Sequence, residues 1–320
     1  MKKIPAILVT GGSGIIGSLL IEKLLSDHKV IAIGKNLEKF PVFIRQHKNF
    51  KFYTYDLTTS LRIEISDRLD AIVHLAAIVS GLNRSSQEYL DVNLRSTEEL
   101  LHFATKCRIK KFIFASSVSV YGEGPGLKTE NDPLLGKTNY AFSKISAEKK
   151  VQQSKLNFII FRLASVYGKN TKGYINKLAG FLKKGFIPSP ENERSQKSFI
   201  YIEDAVEFFI RAIDSKKKIR GIYNIAYPDP VLYEALAGLL RSKLNRKFAL
   251  KIRLSKTVKF LIGALNKIVF YLKIAKTDRL FDSTSFSEPI SVSSEKAIRE
   301  FGYAPKIGIN EGIEKTFMDL

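Results

Sequence analysis

The stretch Thr10-Gly11-Gly12-Ser13-Gly14-Ile15-Ile16-Gly17 decides the fold of this chain. It follows an apolar run at 7–9 that predicts a buried strand, and it opens a segment at 15–25 with helical spacing of apolar residues. Glycines allow a backbone to approach a pyrophosphate closely, and the amino-terminus of a helix offers unpaired N–H groups and positive potential. The stretch therefore predicts a dinucleotide-binding turn, with a plain tight turn between a strand and a helix as the alternative.

The rest of the first half of the chain alternates apolar runs with helical segments. Strands are predicted at 30–33, 50–55, 71–75, 111–115 and 157–161, and helices at 89–105 and 140–151. Such alternation of buried strands and helices predicts a parallel sheet that is covered on both faces. The predicted fold class is therefore α/β, a doubly wound sheet of Rossmann type with a smaller carboxyl-terminal substrate-binding domain.

The pattern changes near Ser165. The elements that follow are a loop at 168–173, a helix, a stretch with proline and serine at 187–190, a short strand at 199–202 and a helix from Glu203. We expect a dinucleotide-binding domain over 1–165, to which 197–227 returns, and a substrate-binding domain that takes most of 166–320. Because the sequence has no internal repeat, low-complexity tract or long linker, we expect the two parts to pack against each other.

The charge of the chain is strongly unbalanced, with 52 Lys and Arg against 31 Asp and Glu and a formal net charge of +21. Such an excess favours anionic partners, although a lysine-rich solvated surface explains it equally well. Cys107 is the one cysteine of the sequence, which excludes an internal disulfide, and we expect a buried structural thiol in a helix. The apolar start at 1–9 is too short for a signal peptide, so we expect a cytoplasmic protein.

Tyr140 and Lys144 form a candidate catalytic pair. They lie four residues apart in the predicted helix at 140–151, which places a phenol and an ammonium on one helix face. A nearby cation favours the phenolate, so we expect the pKa of Tyr140 to fall from its usual value of about 10. Such a tyrosine can exchange protons with a carbinol near neutral pH. Together with a glycine turn that can hold a nicotinamide, it indicates a redox enzyme.

The residues after the second and third predicted strands bear on the nucleotide. An acid at the end of the second strand normally holds the 2′-hydroxyl of NAD, but here the strand at 30–33 is followed by Lys35 and no acid. Lys35 offers a cation for a 2′-phosphate, so NADP is favoured over NAD. Asp56 is a candidate to hydrogen-bond the adenine amine, and an ordinary helix cap before Thr58 is the alternative.

These features belong to a longer series of motifs. The series consists of Thr10-Gly11-Gly12-x-Gly14-x-x-Gly17, Asp56-Leu57, His74-Leu75-Ala76-Ala77, Asn93, Ser116-Ser117-Val118-Ser119-Val120-Tyr121-Gly122, Tyr140-x-x-x-Lys144, Arg162, Tyr167-Gly168, Phe199-Ile200-Tyr201-Ile202-Glu203-Asp204 and Tyr223-Asn224-Ile225. In this order and spacing the chain resembles, over nearly its whole length, the extended short-chain dehydrogenase/reductase family. That family contains nucleotide-sugar epimerases, reductases and dehydratases that use a nicotinamide cofactor.

The resemblance implies a role for each matching position. The implied catalytic residues are Ser117, which hydrogen-bonds the reacting oxygen, Tyr140, the general acid and base, and Lys144, which binds the nicotinamide ribose. The implied cofactor-binding residues are Gly11, Gly14, Ile15, Ile16, Gly17, Lys35, Asp56, Leu57, Leu75, Ala76, Ala77, Asn93, Tyr140 and Lys144. The implied substrate-binding residues are Ser80, Ser117, Tyr121, Arg194 and Lys197. The resemblance implies no metal, and it implies a homodimer.

Two acidic residues that this chain lacks limit the reactions that it can catalyse. The 4,6-dehydratases that resemble this chain carry an Asp-Glu pair directly after the catalytic hydroxyl, where this chain has Val118 and Ser119. Because neither side chain titrates, we exclude dehydration. What remains is 4-epimerisation or ketone reduction at a ring position of a nucleotide sugar by reversible hydride transfer.

Two other functions stay open. Ser165 stands where the family often has asparagine, and together with an apolar, basic segment at 254–274 it allows a hydroxysteroid-like dehydrogenase of an apolar alcohol. Lys197 and Arg194 argue against that function, because an uncharged substrate needs no cation. The net charge of +21 also allows a noncatalytic NADP-binding regulator or an RNA-associated protein. The intact Ser-Tyr-Lys set argues against this second alternative, and we expect no nucleic-acid partner.

The segment 254–274 is basic and amphipathic, with apolar residues at helical spacing and lysines on the other side. This pattern is typical of a helix that lies on an anionic membrane surface, and a core-facing helix with a solvated back is the alternative. The interior lysines argue against a helix that spans the membrane. Peripheral contact with the inner membrane surface therefore stays open beside a purely cytoplasmic location.

Overall fold

The structure is a computed structural model that describes residues 4–65, 67–79, 84–192, 194–246, 248–255, 257–258, 261 and 290–318. Its strands are β1 (Ala6–Thr10), β2 (Lys29–Gly34), β3 (Phe50–Thr54), β4 (Leu69–His74), β5 (Lys111–Ser117), β6 (Leu127–Lys128), β7 (Phe158–Leu163), β8 (Ser165–Tyr167), β9 (Phe186–Ser189), β10 (Gln196–Lys197), β11 (Phe199–Tyr201), β12 (Gly221–Ile225), β13 (Val231–Leu232), β14 (Leu250–Arg253) and β15 (Ser291–Val292).

The helices alternate with these strands. The α-helices are α1 (Ile15–Leu24), α2 (Val42–Arg45), α3 (Ser86–Tyr89), α4 (Ser96–Lys106), α5 (Asn139–Gln153), α6 (Tyr174–Lys183), α7 (Ile202–Asp214), α8 (Tyr233–Lys243), α9 (Glu295–Phe301) and α10 (Ile309–Thr316). Two short 3₁₀ helices cover Leu37–Lys39 and Val118–Tyr121, and a π-helix covers Leu90–Arg95.

A sheet of seven parallel strands forms the centre of the fold, in the order β12-β7-β5-β4-β1-β2-β3. The chain runs from β1 to β2 and β3 on one side of β1, and then crosses to β4, β5 and β7 on the other side. The strand order therefore reverses between β1 and β4, and ligands of open α/β sheets bind at the carboxyl edge beside such a reversal. The predicted doubly wound α/β fold is confirmed.

Helices cover both faces of the sheet, because alternate residues of each strand point to opposite faces. On one face Val9 of β1 lies in a core with Leu20 of α1 and Phe208 of α7. On the other face Leu8 lies in a core with Leu100 of α4. Strands that are buried on both faces have continuous apolar sequences, which is why the sequence alone located them.

A second core lies in the carboxyl-terminal half, where Leu178 of α6, Leu240 of α8 and Ile313 of α10 are buried together. The same half of the chain also contributes to the central sheet, because β12 pairs in parallel with β7. Strand β11 pairs with β8, which directly follows β7. The division into domains near residue 165 stays a prediction.

Two local expectations differ from the structure. The predicted helix at 89–105 is interrupted by the π-helix at Leu90–Arg95. Cys107 is exposed rather than buried, because α4 ends at Lys106 and Cys107 only caps its carboxyl end.

The carboxyl-terminal amphipathic segment is described only in part. Within 254–274 the described residues are Leu254, Ser255, Thr257, Val258 and Leu261, so the predicted amphipathic helix lies outside the described residues. Among the helices of the described ranges, none combines the length and the apolar character that a bilayer crossing needs.

Candidate active site

The glycine turn joins the carboxyl end of β1 to α1. A Cβ at Gly17 would lie 2.3 Å from the carbonyl oxygen of Gly11, and a Cβ at Gly11 would lie 2.6 Å from the backbone nitrogen of Ala76. Gly11 also has a φ of 68°, where glycine is favoured. Gly14 caps α1 without a side-chain hydrogen bond, and the first turn of α1 has no acid. The start of α1 is therefore bare backbone with positive potential, which suits a phosphate group.

The loop 75–79 lies beside this turn. The N–H of Ala76 donates to the hydroxyl of Thr10 at 3.3 Å. His74 ends β4 and is fully buried, and its ring nitrogens lie 2.7 Å from the hydroxyl of Thr10 and 3.0 Å from that of Thr97. Burial lowers the pKa of His74 to about 3. The ring therefore stays neutral and connects the two strand ends rather than acting as an acid or base.

Asn93 holds the loop 75–79 from its other side. Its Oδ1 accepts from the N–H of Ile78 at 2.7 Å. Its Nδ2 donates to the carbonyl of Ile78 at 3.1 Å and to the hydroxyl of Ser143 at 2.9 Å. Because both amide hydrogens are used within the protein, the expected cofactor contact of Asn93 is corrected to a positioning role. Asn93 joins the loop to α5, and its π-helix is of a kind that often occurs at functional sites.

Ser117 and Tyr140 meet at the carboxyl end of β5. Ser117 is the last residue of β5, and its hydroxyl accepts from the N–H of Ser119 at 3.2 Å. The same hydroxyl lies near enough to the phenol of Tyr140 to lower its pKa against the larger effect of burial. Tyr140 lies in the first turn of α5, which Thr138 caps. Its ring packs edge-on against Tyr89, with 6.3 Å between the ring centroids. The structure therefore brings the predicted hydroxyl and the predicted phenol together.

Lys144 lies one turn further along α5 and is only 3% exposed. Its Nζ donates to the carbonyl of Ala115 at 2.7 Å and lies 4.7 Å from the centre of the Phe114 ring. Burial lowers the pKa of Lys144 to about 7, and burial raises the pKa of Tyr140 to about 12. The expected lowering of the pKa of Tyr140 is therefore wrong. The loss of water around the phenol raises its pKa, and the amine of Lys144 is directed toward the carbonyl of Ala115 rather than toward the phenol. At neutral pH the phenol is protonated and is a proton donor.

Behind this pair lies a buried ion pair that the sequence analysis did not identify. The side chains of Glu148 and Arg162 are 0% and 2% exposed, and their charged groups lie 2.7 Å apart. Ser116 donates to the same carboxylate, and Arg162 donates to the phenol oxygen of Tyr121 at 2.8 Å. The spacing of Glu148, four residues after Lys144 on α5, is the sequence signal that points to this residue.

Tyr121 is a core residue rather than a substrate contact. It is 2% exposed, and its hydroxyl donates to Oδ1 of Asn224 at 2.7 Å while it accepts from Arg162. The expected substrate role of Tyr121 is therefore corrected: it connects the end of the Val118–Tyr121 turn to β12 from within the core.

The basic residues that we expected to contact substrate lie in the carboxyl-terminal half. Lys197 of β10 is partly buried, with its Nζ 5.1 Å from the centre of the Tyr174 ring. Burial lowers the pKa of Lys197 to about 8, and the nearby carboxylate of Glu123 opposes this shift. Arg194 is exposed, and Ser80 lies outside the described residues. Substrate contacts of these three residues stay predictions.

Lys35 and Asp56 form an ion pair of 2.7 Å between the ends of β2 and β3. The other carboxylate oxygen of Asp56 accepts from the N–H and the hydroxyl of Thr58 at 3.0 and 2.8 Å. Hydrogen bonding to Lys35 lowers the pKa of Asp56 to about 2, so the carboxylate is charged. Thr58 lies in a turn rather than at the start of a helix, which corrects the alternative of a helix cap. Lys35 therefore already has an anionic partner.

These features together fit a dinucleotide. The positions in the glycine turn, at the start of α1 and in the loop 75–79 are Gly11, Gly14, Ile15, Ile16, Gly17, Leu75, Ala76 and Ala77. The glycines let the turn pack closely on itself and on the loop 75–79, because Cβ atoms at Gly11 and Gly17 would clash with backbone atoms, and the bare helix terminus lies at the strand reversal. Lys144 and the Ser117–Tyr140 pair lie two strands away at the same edge of the sheet. The arrangement can hold a nucleotide and exchange a proton beside it.

Comparison with known proteins adds a family match. The model of the NAD dependent epimerase/dehydratase family matches residues 7–226. The uncharacterized UDP-glucose epimerase YtcB of Bacillus subtilis is 28% identical over 264 residues, which cover 76% of this chain and 84% of the relative. The dTDP-D-glucose 4,6-dehydratase of Dictyostelium discoideum is 31% identical over 259 residues, which cover 69% of this chain and 58% of the relative.

The solved structure of another protein has the same fold as this chain. The UDP-glucuronic acid 4-epimerase of Bacillus cereus in complex with NAD superposes with a TM-score of 0.75 at 22% identity. The match covers 98% of this chain and 97% of that chain. Nearly all of the chain, including its carboxyl-terminal half, thus shares one architecture with that protein.

Proposed function

The chain belongs to the NAD dependent epimerase/dehydratase family, and from this premise we propose that it is a nicotinamide-dependent epimerase or ketoreductase that acts on a ring position of a nucleotide sugar. The observation that carries the proposal is that the Ser117–Tyr140 pair and the glycine turn share the carboxyl edge of one sheet. The similarity to the uncharacterized UDP-glucose epimerase YtcB of Bacillus subtilis supports the substrate class.

The residues of the chain divide the chemistry between them. When bound, the nicotinamide supplies the hydride acceptor and donor for the carbon that bears the reacting oxygen. Ser117 donates a hydrogen bond to that oxygen, and Tyr140 gives or takes its proton. Lys144 would hold the ribose of the cofactor beside them. Because burial raises the pKa of Tyr140 to about 12, the tyrosine is suited to protonate the oxygen as a ketone is reduced.

Dehydration is not part of the proposal, although a dehydratase is among the relatives. Elimination of water requires an additional acid and base beside the reacting sugar. The two positions after Ser117 are Val118, which is 6% exposed, and the hydroxyl residue Ser119. Neither side chain can take that role at neutral pH.

The proposed reaction is tested with purified protein, a panel of UDP- and dTDP-hexoses, and NAD or NADP. We expect a 4-epimer in the absence of net cofactor reduction, or consumption of the reduced cofactor with a 4-keto sugar, measured by NMR and absorbance. Oxidation of sterols but not of nucleotide sugars would instead identify a hydroxysteroid-like dehydrogenase. Absence of any turnover together with RNA binding that weakens steeply with salt would identify a noncatalytic protein.

For the cofactor we infer NAD rather than the NADP that the sequence favoured. The preference for NADP depended on Lys35 as a cation for a 2′-phosphate. In the structure Lys35 pairs with the charged carboxylate of Asp56 at 2.7 Å, so the two groups present little net charge. A 2′-phosphate would meet the repulsion of Asp56 beside the attraction of Lys35.

The variant Asp56→Asn tests this inference. We expect it to raise the affinity for NADP relative to NAD by about tenfold, because the repulsive charge is lost while Lys35 stays. Fluorescence titration with both nucleotides measures the ratio. Asp67→Asn, which removes the partner of Lys29 in a pair of 3.0 Å, is the matched control and should leave the ratio unchanged. A wild-type protein that binds NADP more than tenfold better than NAD would contradict the inference.

A further inference from the structure

Three exposed apolar side chains lie in β14 and in the two residues before it. This strand pairs with β9 in a two-stranded sheet. Phe248, Leu250 and Ile252 are 91%, 71% and 36% exposed. Leu250 and Ile252 point to the same side because alternate residues of a strand do so, and we call these two and Phe248, which comes just before the strand, the apolar row. An exposed apolar strand is an aggregation site unless charges protect it or a partner covers it.

The sequence around the apolar row is basic. Between Glu234 and Asp278 the sequence has no acid, and its basic residues are Arg241, Lys243, Arg246, Lys247, Lys251, Arg253, Lys256, Lys259, Lys267, Lys273 and Lys276. Two acids of neighbouring helices offset part of this charge, because Glu234 lies 3.8 Å from Lys251 and Glu314 pairs with Lys243. This stretch of sequence therefore combines an excess of positive charge with exposed apolar side chains, and an anionic lipid surface attracts that composition.

We propose that the apolar row and its basic surroundings dock on an anionic lipid bilayer. Phe248 and Leu250 would enter the boundary between headgroups and acyl chains, while the positive charges of Arg246 and Arg253 attract the anionic surface. Leu261 is 60% exposed further along the same basic stretch of sequence.

Charge and side-chain type select this partner over two others. A second copy of the chain would place one basic surface against another, so like charges would oppose the contact. Single-stranded nucleic acid requires aromatic stacking platforms, but two of the three side chains in the row are aliphatic. The proposal involves none of the residues that we assign to the active site, so it can fail or hold independently of the proposed reaction.

Flotation of the full-length protein with vesicles tests the proposal. We expect binding to vesicles of phosphatidylcholine with phosphatidylglycerol and none to phosphatidylcholine alone. The variant Arg246→Gln/Arg253→Gln should bind roughly 30-fold more weakly, since each cation near such a surface contributes about 1 kcal/mol. The variant Phe248→Ser/Leu250→Ser keeps the charge, and it should lose about tenfold or more in affinity and all binding that persists at high salt.

The control distinguishes docking from general adsorption of a protein with a charge of +21. Lys48→Gln/Lys106→Gln removes the same charge from two exposed lysines of the first half of the chain, and it should bind as the wild type does. An equal loss in this control would overturn the proposal, as would equal binding of the wild type to neutral vesicles. A dimer that the Phe248→Ser/Leu250→Ser variant dissociates, without lipid binding by the wild type, would assign the surface to a second copy. Melting temperatures near that of the wild type would show that the variants fold.

Discussion

Replacing Tyr140 with phenylalanine is expected to lower kcat about 10²–10⁴-fold, the usual contribution of a positioned general acid and base. The substitution removes one oxygen, and the ring that packs 6.3 Å from Tyr89 stays in place. Dinucleotide affinity and KM should therefore change little, because the lost interaction belongs to the transition state. Steady-state kinetics and nucleotide titration measure the two quantities separately.

The pH dependence of kcat/KM of the wild type is a second test of the role of Tyr140. Burial raises the pKa of Tyr140 to about 12, so the fraction of phenolate in the free enzyme grows tenfold with each pH unit in the neutral range. In the direction that removes a proton from a carbinol, kcat/KM should rise with pH and not level off below about pH 9. The phenylalanine variant should lose this rise.

Tyr89→Phe is the matched control, since it removes the phenol oxygen of the neighbouring ring, which donates to the carbonyl of Val79 at 3.1 Å. We expect less than about a tenfold loss of kcat in this control, the effect of one hydrogen bond outside the reaction centre. Equal losses in both variants would assign Tyr140 a packing role only. Full activity of Tyr140→Phe would remove the chemical basis of the proposed function.

Replacing Glu148 with glutamine is expected to lower the free energy of unfolding by about 3–5 kcal/mol, because Arg162 would keep a buried charge without its counter-ion. The side chains of this pair are 0% and 2% exposed, and glutamine preserves the volume, so a cavity does not contribute. Urea denaturation measures the difference. The surface variant Glu88→Gln should lose much less stability, because its pair with Arg84 is 44% and 51% exposed.

The double variant Glu148→Gln/Arg162→Met tests the cause. Removing both charges should recover much of the stability that either single variant loses, because a buried pair contributes little over an apolar replacement. Additive losses would mean that shape, and not the unpaired charge, explains the single variants. A loss below about 1 kcal/mol for Glu148→Gln would show that water reaches the pair.

Much of the fold was predictable because strands buried on both faces and amphipathic helices leave periodic sequence patterns. Each of the six strands predicted in the first half has a counterpart in the central sheet. The position of β12 beside β7 was harder to predict from the sequence, because it depends on a pairing between residues about 60 positions apart. The π-helix at Leu90–Arg95 has no sequence signal of comparable strength, because it differs from an α-helix only in its hydrogen-bond pattern.

In the candidate site, too, the features that depend on neighbouring residues were predictable, and those that depend on distant residues were not. The glycine turn and the placement of Tyr140 and Lys144 on one helix could be predicted from the sequence, because local backbone geometry depends on residue types at short separation. The roles of Asn93 and Tyr121 were misassigned, because each side chain is used by partners that are distant in sequence, Ser143 and Asn224.

By itself the sequence determined the doubly wound sheet, the glycine turn and the set of hydroxyl, phenol and amine at its carboxyl edge, since periodicity and short spacings specify them. Only the tertiary structure decided the electrostatics of that set. It buried Lys144 and partly buried Tyr140, and the loss of water moved the pKa of Tyr140 to about 12 and that of Lys144 to about 7. It also paired Lys35 with Asp56. The physical reason is that desolvation and ion pairing depend on which distant residues exclude water from a group, and sequence separation does not report that.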